Sequence, residues 1–167
     1  MPFDSSIAGS ASNSFVSVEE FRLYWSAKLV PANQDSPDSF GDDDVERGLM
    51  MATAELDREG WLGNIATSTQ ALQWPRVGVY RRSGAVVPSD SIPQQIKDAT
   101  CELAYSLLLD PSATQSDGLS DFSSISLGQG EIALTLRAGA GQAGIPFNAI
   151  RLVTEFLSGA GARVLRA

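Results

Sequence analysis

Apolar positions recur at spacings of three and four through much of the chain and alternate in a stretch near its end. That pattern predicts a mainly α protein, a four-helix, bundle-like domain with a long loop and one β-hairpin. Val18, Phe21, Trp25 and Leu29 form the stripe of a first helix, opened by Ser17 and Glu20 as a capping box and stopped by Pro31. A loop over 32–41 leads to Asp42, Asp43 and Asp44, whose carboxylates suit the positive start of a second helix. Val45, Leu49, Ala52 and Leu56 supply its buried face, and Gly60 is expected to end it in the left-handed conformation. From Trp61 to Pro88 the period is lost among Gly and Pro, which predicts a long ordered loop with a short hairpin around Arg81 to Gly84.

A third helix follows, with Ser91 and Gln94 as a second capping box, Pro93 in the first turn, and Ile96, Ala99, Leu103 and Leu107 on one face. Asp110 and Pro111 close it. Phe122 to Leu127 and Glu131 to Arg137 alternate around Gly128, Gln129 and Gly130, the pattern of a β-hairpin over 122–137. Ala138 to Gly144 reads as a flexible linker, and Pro146 opens a fourth helix with Phe147, Ile150, Val153 and Leu157 on one side. The organisation is therefore an extended arm at 1–16, a helical domain at 17–158 and a flexible tail at 159–167, released by Gly159 and Gly161. The Ser-, Ala- and Gly-rich arm is expected to need a partner surface to become ordered.

Composition narrows the chemistry. A length of 167 residues suits one domain, and 43% apolar with 19% charged residues suits a globular one. The net charge of −8 is unevenly placed: residues 1–60 hold twelve acids and four bases, and the rest hold eight of each. Such a balance argues against a nucleic-acid binder that works by neutralising phosphates over a broad face. The sequence has no His, so the usual general base and the commonest metal ligand are missing, and a nucleophilic Ser would have only Lys28, Lys97 or a carboxylate to activate it. No enzyme activity and no cofactor are expected, with a hydrolase of unknown type kept as a distant option. Cys101 is single and falls beside the buried stripe of the third helix, as a small core residue would. No apolar run approaches the roughly 20 residues of a membrane span, and the start lacks a signal-peptide pattern, so a soluble intracellular chain without a membrane partner is expected.

Three groups of residues stand out. Asp42-Asp43-Asp44 lacks the alternating spacing of a calcium loop and reads as helix-start acids. Trp74-Pro75-Arg76 is unusual inside a loop: Trp74 either anchors the loop on the helices or joins a subunit contact, with Arg76 as a charge-assisted partner. In the tail, Arg163 and Arg166 flank Val164 and Leu165, an apolar pair suited to docking on another chain.

Asn13-Ser14-Phe15-Val16-Ser17, Leu56 with Trp61 and Gly63, Gln70-Ala71-Leu72-Gln73-Trp74-Pro75-Arg76, Gly78-Val79-Tyr80, and Ile92-Pro93 with Lys97, Ala99, Glu102, Leu103 and Ala104 carry a resemblance. Over about residues 11–109 the chain resembles a family of tailed-phage and prophage proteins often catalogued as DnaT-like single-stranded-DNA-binding proteins. Its architecture also looks like that of phage head-to-tail connectors, or adaptors. The connector likeness implies a non-enzymatic structural protein of the virion, located at the head–tail interface and assembled in the host bacterial cytoplasm. It would form a dodecameric ring bound to the portal protein and to a tail terminator or other tail component. DNA would pass through the ring without specific binding, Asp42, Asp43 and Asp44 would face its channel, and Arg163 to Arg166 would dock on the portal. The other label implies a single-strand binder, in which Arg76, Arg81 and Arg82 beside Trp74 and Tyr80 form a local stacking patch. The acidic balance favours the adaptor expectation.

Overall fold

A computed structural model describes residues 2–112, 122–128, 131–136 and 147–158. Its helices are α1 (Val18–Ser26), α2 (Asp42–Asp57), α3 (Gln94–Leu109) and α4 (Phe147–Val153). α3 packs against both α2 and α4, and α1 lies on α2 and α3. The helical period explains which faces meet: Val45, Leu49, Ala52 and Leu56 of α2, Ile96, Ala99, Leu103 and Leu107 of α3, and Ala149 and Val153 of α4 are all buried. Each fully buried large side chain among them contributes roughly 1.5–3 kcal/mol of transfer free energy, set against the entropy of ordering it. The fold is mainly α with one long hairpin, as the periodicity predicts. In that hairpin β3 (Phe122–Gly128) pairs antiparallel with β4 (Glu131–Leu136), placing Ile125 opposite Leu134 and Gly128 opposite Glu131.

Helix ends depart from the sequence reading in instructive ways. The Ser17 capping box is made: Ser17 Oγ accepts the Glu20 N–H at 3.2 Å and Glu20 Oε2 accepts the Ser17 N–H at 3.0 Å. α1 nevertheless stops at Ser26, and Leu29 is 99% exposed rather than part of the stripe. Pro31 disfavours a helical residue before it and offers no N–H, so the turn that would carry Leu29 has no continuation. α2 stops at Asp57 with Arg58 as a right-handed C-cap. Gly60 is not its left-handed cap but a point of close approach, its carbonyl accepting from both the N–H and the Oγ of Ser158. A Cβ there would meet Ser158 Oγ at 2.7 Å. The second capping box does not form. Ile92 and Pro93 are drawn into the core, Pro93 becomes the N-cap of α3, and no side chain caps that helix. α4 tightens into a 3-10 turn at Thr154–Phe156, so Ala149, Val153 and Phe156 are its buried residues, while Ile150 and Leu157 are half-buried.

The N-terminal segment is ordered by its own chain, contrary to the expectation of a partner surface. Asp4 N–H donates to Asn13 Oδ1 at 2.9 Å, Asn13 Nδ2 donates to Pro2 O at 2.8 Å, and the Gly9 carbonyl accepts from Ala71 N–H at 3.0 Å. Phe15 and Val16 then enter the core, with Phe15 N–H donating to the buried Thr53 Oγ1. Its lack of periodicity hid an Asx-held loop, whose side chains bond the backbone locally. The expected linker at 138–144 and tail at 159–167, including Arg163, Val164, Leu165 and Arg166, lie outside the described residues.

Candidate nucleic-acid interface

The loop between α2 and α3 sets up the interface by fixing its own base. Trp74 is 1% exposed and sits edge-on to Trp61 and Phe156, each ring centroid 5.7 Å away. Arg76 is also buried, and its guanidinium staples the loop: Nε donates to Leu62 O at 2.7 Å, one terminal nitrogen to Gly63 O at 2.7 Å, and the other to Gln73 O and Oε1. The planar fork of donors suits this use, since converging carbonyls can satisfy it without an acid in direct contact. β1 (Asn64–Ile65) and β2 (Arg76–Val77), a short antiparallel pair that the sequence did not reveal, run through the same staple. Gly63 has φ +72°, and a Cβ there would lie 2.3 Å from Val77 O, so the crossing requires glycine.

From this base the chain turns outward as a hairpin over Val79–Val87. Val87 N–H donates to Val79 O at 2.9 Å and Arg81 N–H to Ala85 O at 2.8 Å, with Gly84 at φ +85° closing the turn on Arg81 O. That is the short hairpin expected around Arg81 to Gly84, built on the glycine that a three-residue loop requires. Val79 and Val87 are buried and anchor it, whereas Tyr80 is 59% exposed. Arg81 ties the hairpin to the end of α4: its guanidinium lies 3.5 Å from Glu155 Oε1 and 5.9 Å from the centre of the Phe156 ring. Beside this tie opens a cleft of about 480 Å³ lined by Arg82, Gln95, Arg151, Leu152, Thr154 and Glu155.

This arrangement revises the patch expected from sequence. Trp74 and Arg76 are interior and cannot stack on or neutralise anything outside, whereas Tyr80, Arg81 and Arg82 are placed on the outward hairpin. Arg151 and Gln95 were missed because they come from α4 and the first turn of α3, far from the hairpin in sequence. Their faces were readable: Arg151 sits two positions before the buried Val153, and Gln95 directly precedes the buried Ile96.

Elsewhere among the described residues, several cations are held by acids of the same chain. Lys97 binds Glu20, Lys28 binds Glu102, Arg22 binds Asp42, Arg47 binds Asp44 and Arg58 binds Glu55. Four of the twelve acids in the first sixty residues, Glu20, Asp42, Asp44 and Glu55, are thus engaged with bases of the same chain. Asp42, Asp43 and Asp44 lie exposed in the first turn of α2. A second cleft, about 400 Å³ and lined by Trp25, Lys28, Gln34, Glu102, Tyr105 and Asn148 among others, holds its lysine against Glu102 at 2.5 Å and so offers little to a phosphate. The cleft at Arg82 has two arginines against one glutamate. Cys101 is buried, and burial with nearby carboxylates pushes its thiol far up, out of nucleophilic range.

A family model described as "Putative DnaT-like ssDNA binding protein" matches residues 4–162. The chain belongs to this family. No curated protein and no solved structure matches it. Membership corrects the adaptor expectation: the family's description is that of single-stranded-DNA binders and contains no head-to-tail connector, virion component, portal partner or ring. The contrary expectation, that DNA passes without being bound, rested on the sign of the whole chain's charge. Binding is decided locally, by which cations meet on one surface.

Proposed function

We propose that the protein binds single-stranded DNA through the Val79–Val87 hairpin and the adjoining cleft. Tyr80 supplies the stacking face, and Arg82 and Arg151 supply the phosphate contacts. Family membership and one observation support this reading: the exposed aromatic ring of Tyr80 stands on a rigidly anchored hairpin beside a cleft lined by two arginines. Stacking tolerates any base, since every base has a π-face, and guanidinium groups neutralise the backbone on either side. Buried Val79 and Val87 fix the direction in which Tyr80 projects, and the Arg81–Glu155 contact holds the hairpin against α4.

The protein acts on this reading as a binding protein and not as an enzyme, which the absence of His and the buried Cys101 support. With so few cations at the site, binding should be modest and weakly salt-dependent. The log–log slope against salt should be about −0.7 for each neutralised phosphate. Fluorescence anisotropy with labelled single strands and with a duplex of the same sequence tests the reading. Preferential binding of the single strand is expected, and failure to bind it at low salt would overturn the assignment.

A further inference from the structure

We infer that Glu155 holds Arg81 in the place of a strand phosphate, and that an incoming single strand displaces this carboxylate and takes the arginine as a further phosphate contact. This deepens the single-strand-binding reading and rests on it. Among the described residues, Glu155 is the one acid lining the cleft that Arg82 and Arg151 border. Its Oε1 lies 3.5 Å from a terminal nitrogen of Arg81, well beyond the roughly 2.7–2.9 Å of a charge-assisted hydrogen bond. The side chains of Arg81 and Glu155 are 33% and 26% exposed, so the pair is loose and a solute can reach both members.

The surroundings let this exchange occur without moving the hairpin. The turn fixes the Arg81 backbone, its N–H donating to Ala85 O and its carbonyl accepting from Gly84 N–H, each at 2.8 Å. Buried Val79 and Val87 anchor the strands, and the Phe156 ring lies 5.9 Å from the guanidinium carbon, a cation–π contact that does not need the carboxylate. A partly exposed ion pair of this kind is worth little, whereas a phosphate offers a guanidinium two parallel hydrogen bonds. Arg81 also follows Tyr80 and precedes Arg82 in the chain, so the cation that is released belongs to the same turn as the stacking ring and a cleft arginine. Glu155 thus restrains affinity by the energy of the pair that the strand must break.

The test is a double-mutant cycle read by fluorescence anisotropy with a labelled oligothymidine over a range of salt. Glu155→Gln removes the competing charge and keeps the shape of the side chain, and it should bind the strand about fivefold more tightly than the wild type at low salt. Arg81→Gln should weaken binding and make the log–log salt slope shallower by about 0.7, as loss of one phosphate contact requires. In the double variant the gain from Glu155→Gln should vanish, since no arginine is left to release. A folded Glu155→Gln that binds no more tightly than the wild type overturns the inference, because the acid then serves only to clamp the hairpin. A gain of equal size in the Arg81→Gln background also overturns it, since Glu155 then acts on the strand through its charge alone. A salt slope left unchanged by Arg81→Gln does the same, and that slope decides should the variant at Glu155 not fold. In each of these cases binding by the wild type leaves the DNA-binding reading standing, whereas a wild type that does not bind the strand removes both.

Discussion

Tyr80 and Val86 face each other across the hairpin as a non-hydrogen-bonded pair, bracketed by the Val87 to Val79 and Arg81 to Ala85 backbone bonds. In this kind of pair the two side chains share one face at close range, and here both are well exposed, at 59% and 64%. An aromatic and a β-branched residue so placed would ordinarily be covered. Left open, they form a small platform whose flat part is the phenol ring. Tyr80→Ala should therefore weaken single-strand binding by about tenfold, within the roughly 1–3 kcal/mol range of base–aromatic stacking, with little change in thermal stability. Tyr80→Phe keeps the π-face and should bind nearly as the wild type does. Anisotropy titrations of the three proteins check this, and unaltered binding by Tyr80→Ala would show that the hairpin is not the platform.

Arg82 separates charge from stacking. It lies on the outer turn and borders the cleft, so its side chain contributes little to the core. Arg82→Ala should weaken binding to strands of any sequence alike and make the log–log salt slope shallower by about 0.7, as loss of one phosphate contact requires. A change confined to particular sequences, with the slope intact, would assign Arg82 to base contact instead.

What the sequence disclosed depended on whether a signal was local. The stripes of α2 and α3 were legible because the 3.6-residue period is carried by contiguous residues, and Val45, Leu49, Ile96 and Leu103 are buried as that period requires. The helix ends were less so. Ser91 and Gln94 have the spacing of a capping box, but burial of Ile92 and Pro93 overrides it, a tertiary effect invisible in four residues. The Trp74-Pro75-Arg76 block drew attention by its rarity, and the sequence left open whether Trp74 anchors the loop on the helices or joins a subunit contact. Only the fold shows that the carbonyls of Leu62, Gly63 and Gln73 already satisfy the Arg76 guanidinium. Conversely, Arg151 and Gln95 are ordinary surface residues in sequence and line one cleft with Arg82 only because α4 packs against α3.

Trp74 tests the structural side of that conclusion. Its ring is enclosed between Trp61 and Phe156, joining the α2–α3 loop to the turn after α4. Trp74→Ala should lower the free energy of unfolding by about 3–5 kcal/mol, the range for deleting a large buried aromatic. Trp74→Phe, which retains part of the edge-on contacts, should cost less. Urea unfolding followed by circular dichroism measures both. A loss well under 1 kcal/mol for the alanine variant would mean that the loop is not seated on the core as described.

Asp57 gives the fold a pH dependence whose sign can be worked out. Burial at the end of α2 raises its pKa above the ordinary aspartate value, and the Gln73 N–H donated to its Oδ1 at 2.6 Å and the nearby Arg76 charge offset this only in part. The folded protein thus holds the Asp57 proton more tightly than the unfolded chain does. The resulting stabilisation is fully present below the unfolded pKa and is lost as pH rises through the higher folded value. Asp57→Asn keeps an oxygen to accept the Gln73 N–H but has no charge to bury, so it lacks this dependence. The stability of Asp57→Asn relative to the wild type should therefore rise as pH increases from below the ordinary aspartate pKa through the higher folded value, and level off above it. Urea midpoints of the two proteins at matched pH values provide the comparison. If the difference instead falls as pH rises, the carboxylate is being held below its ordinary value, and attraction to the stapling Arg76 outweighs the cost of its burial.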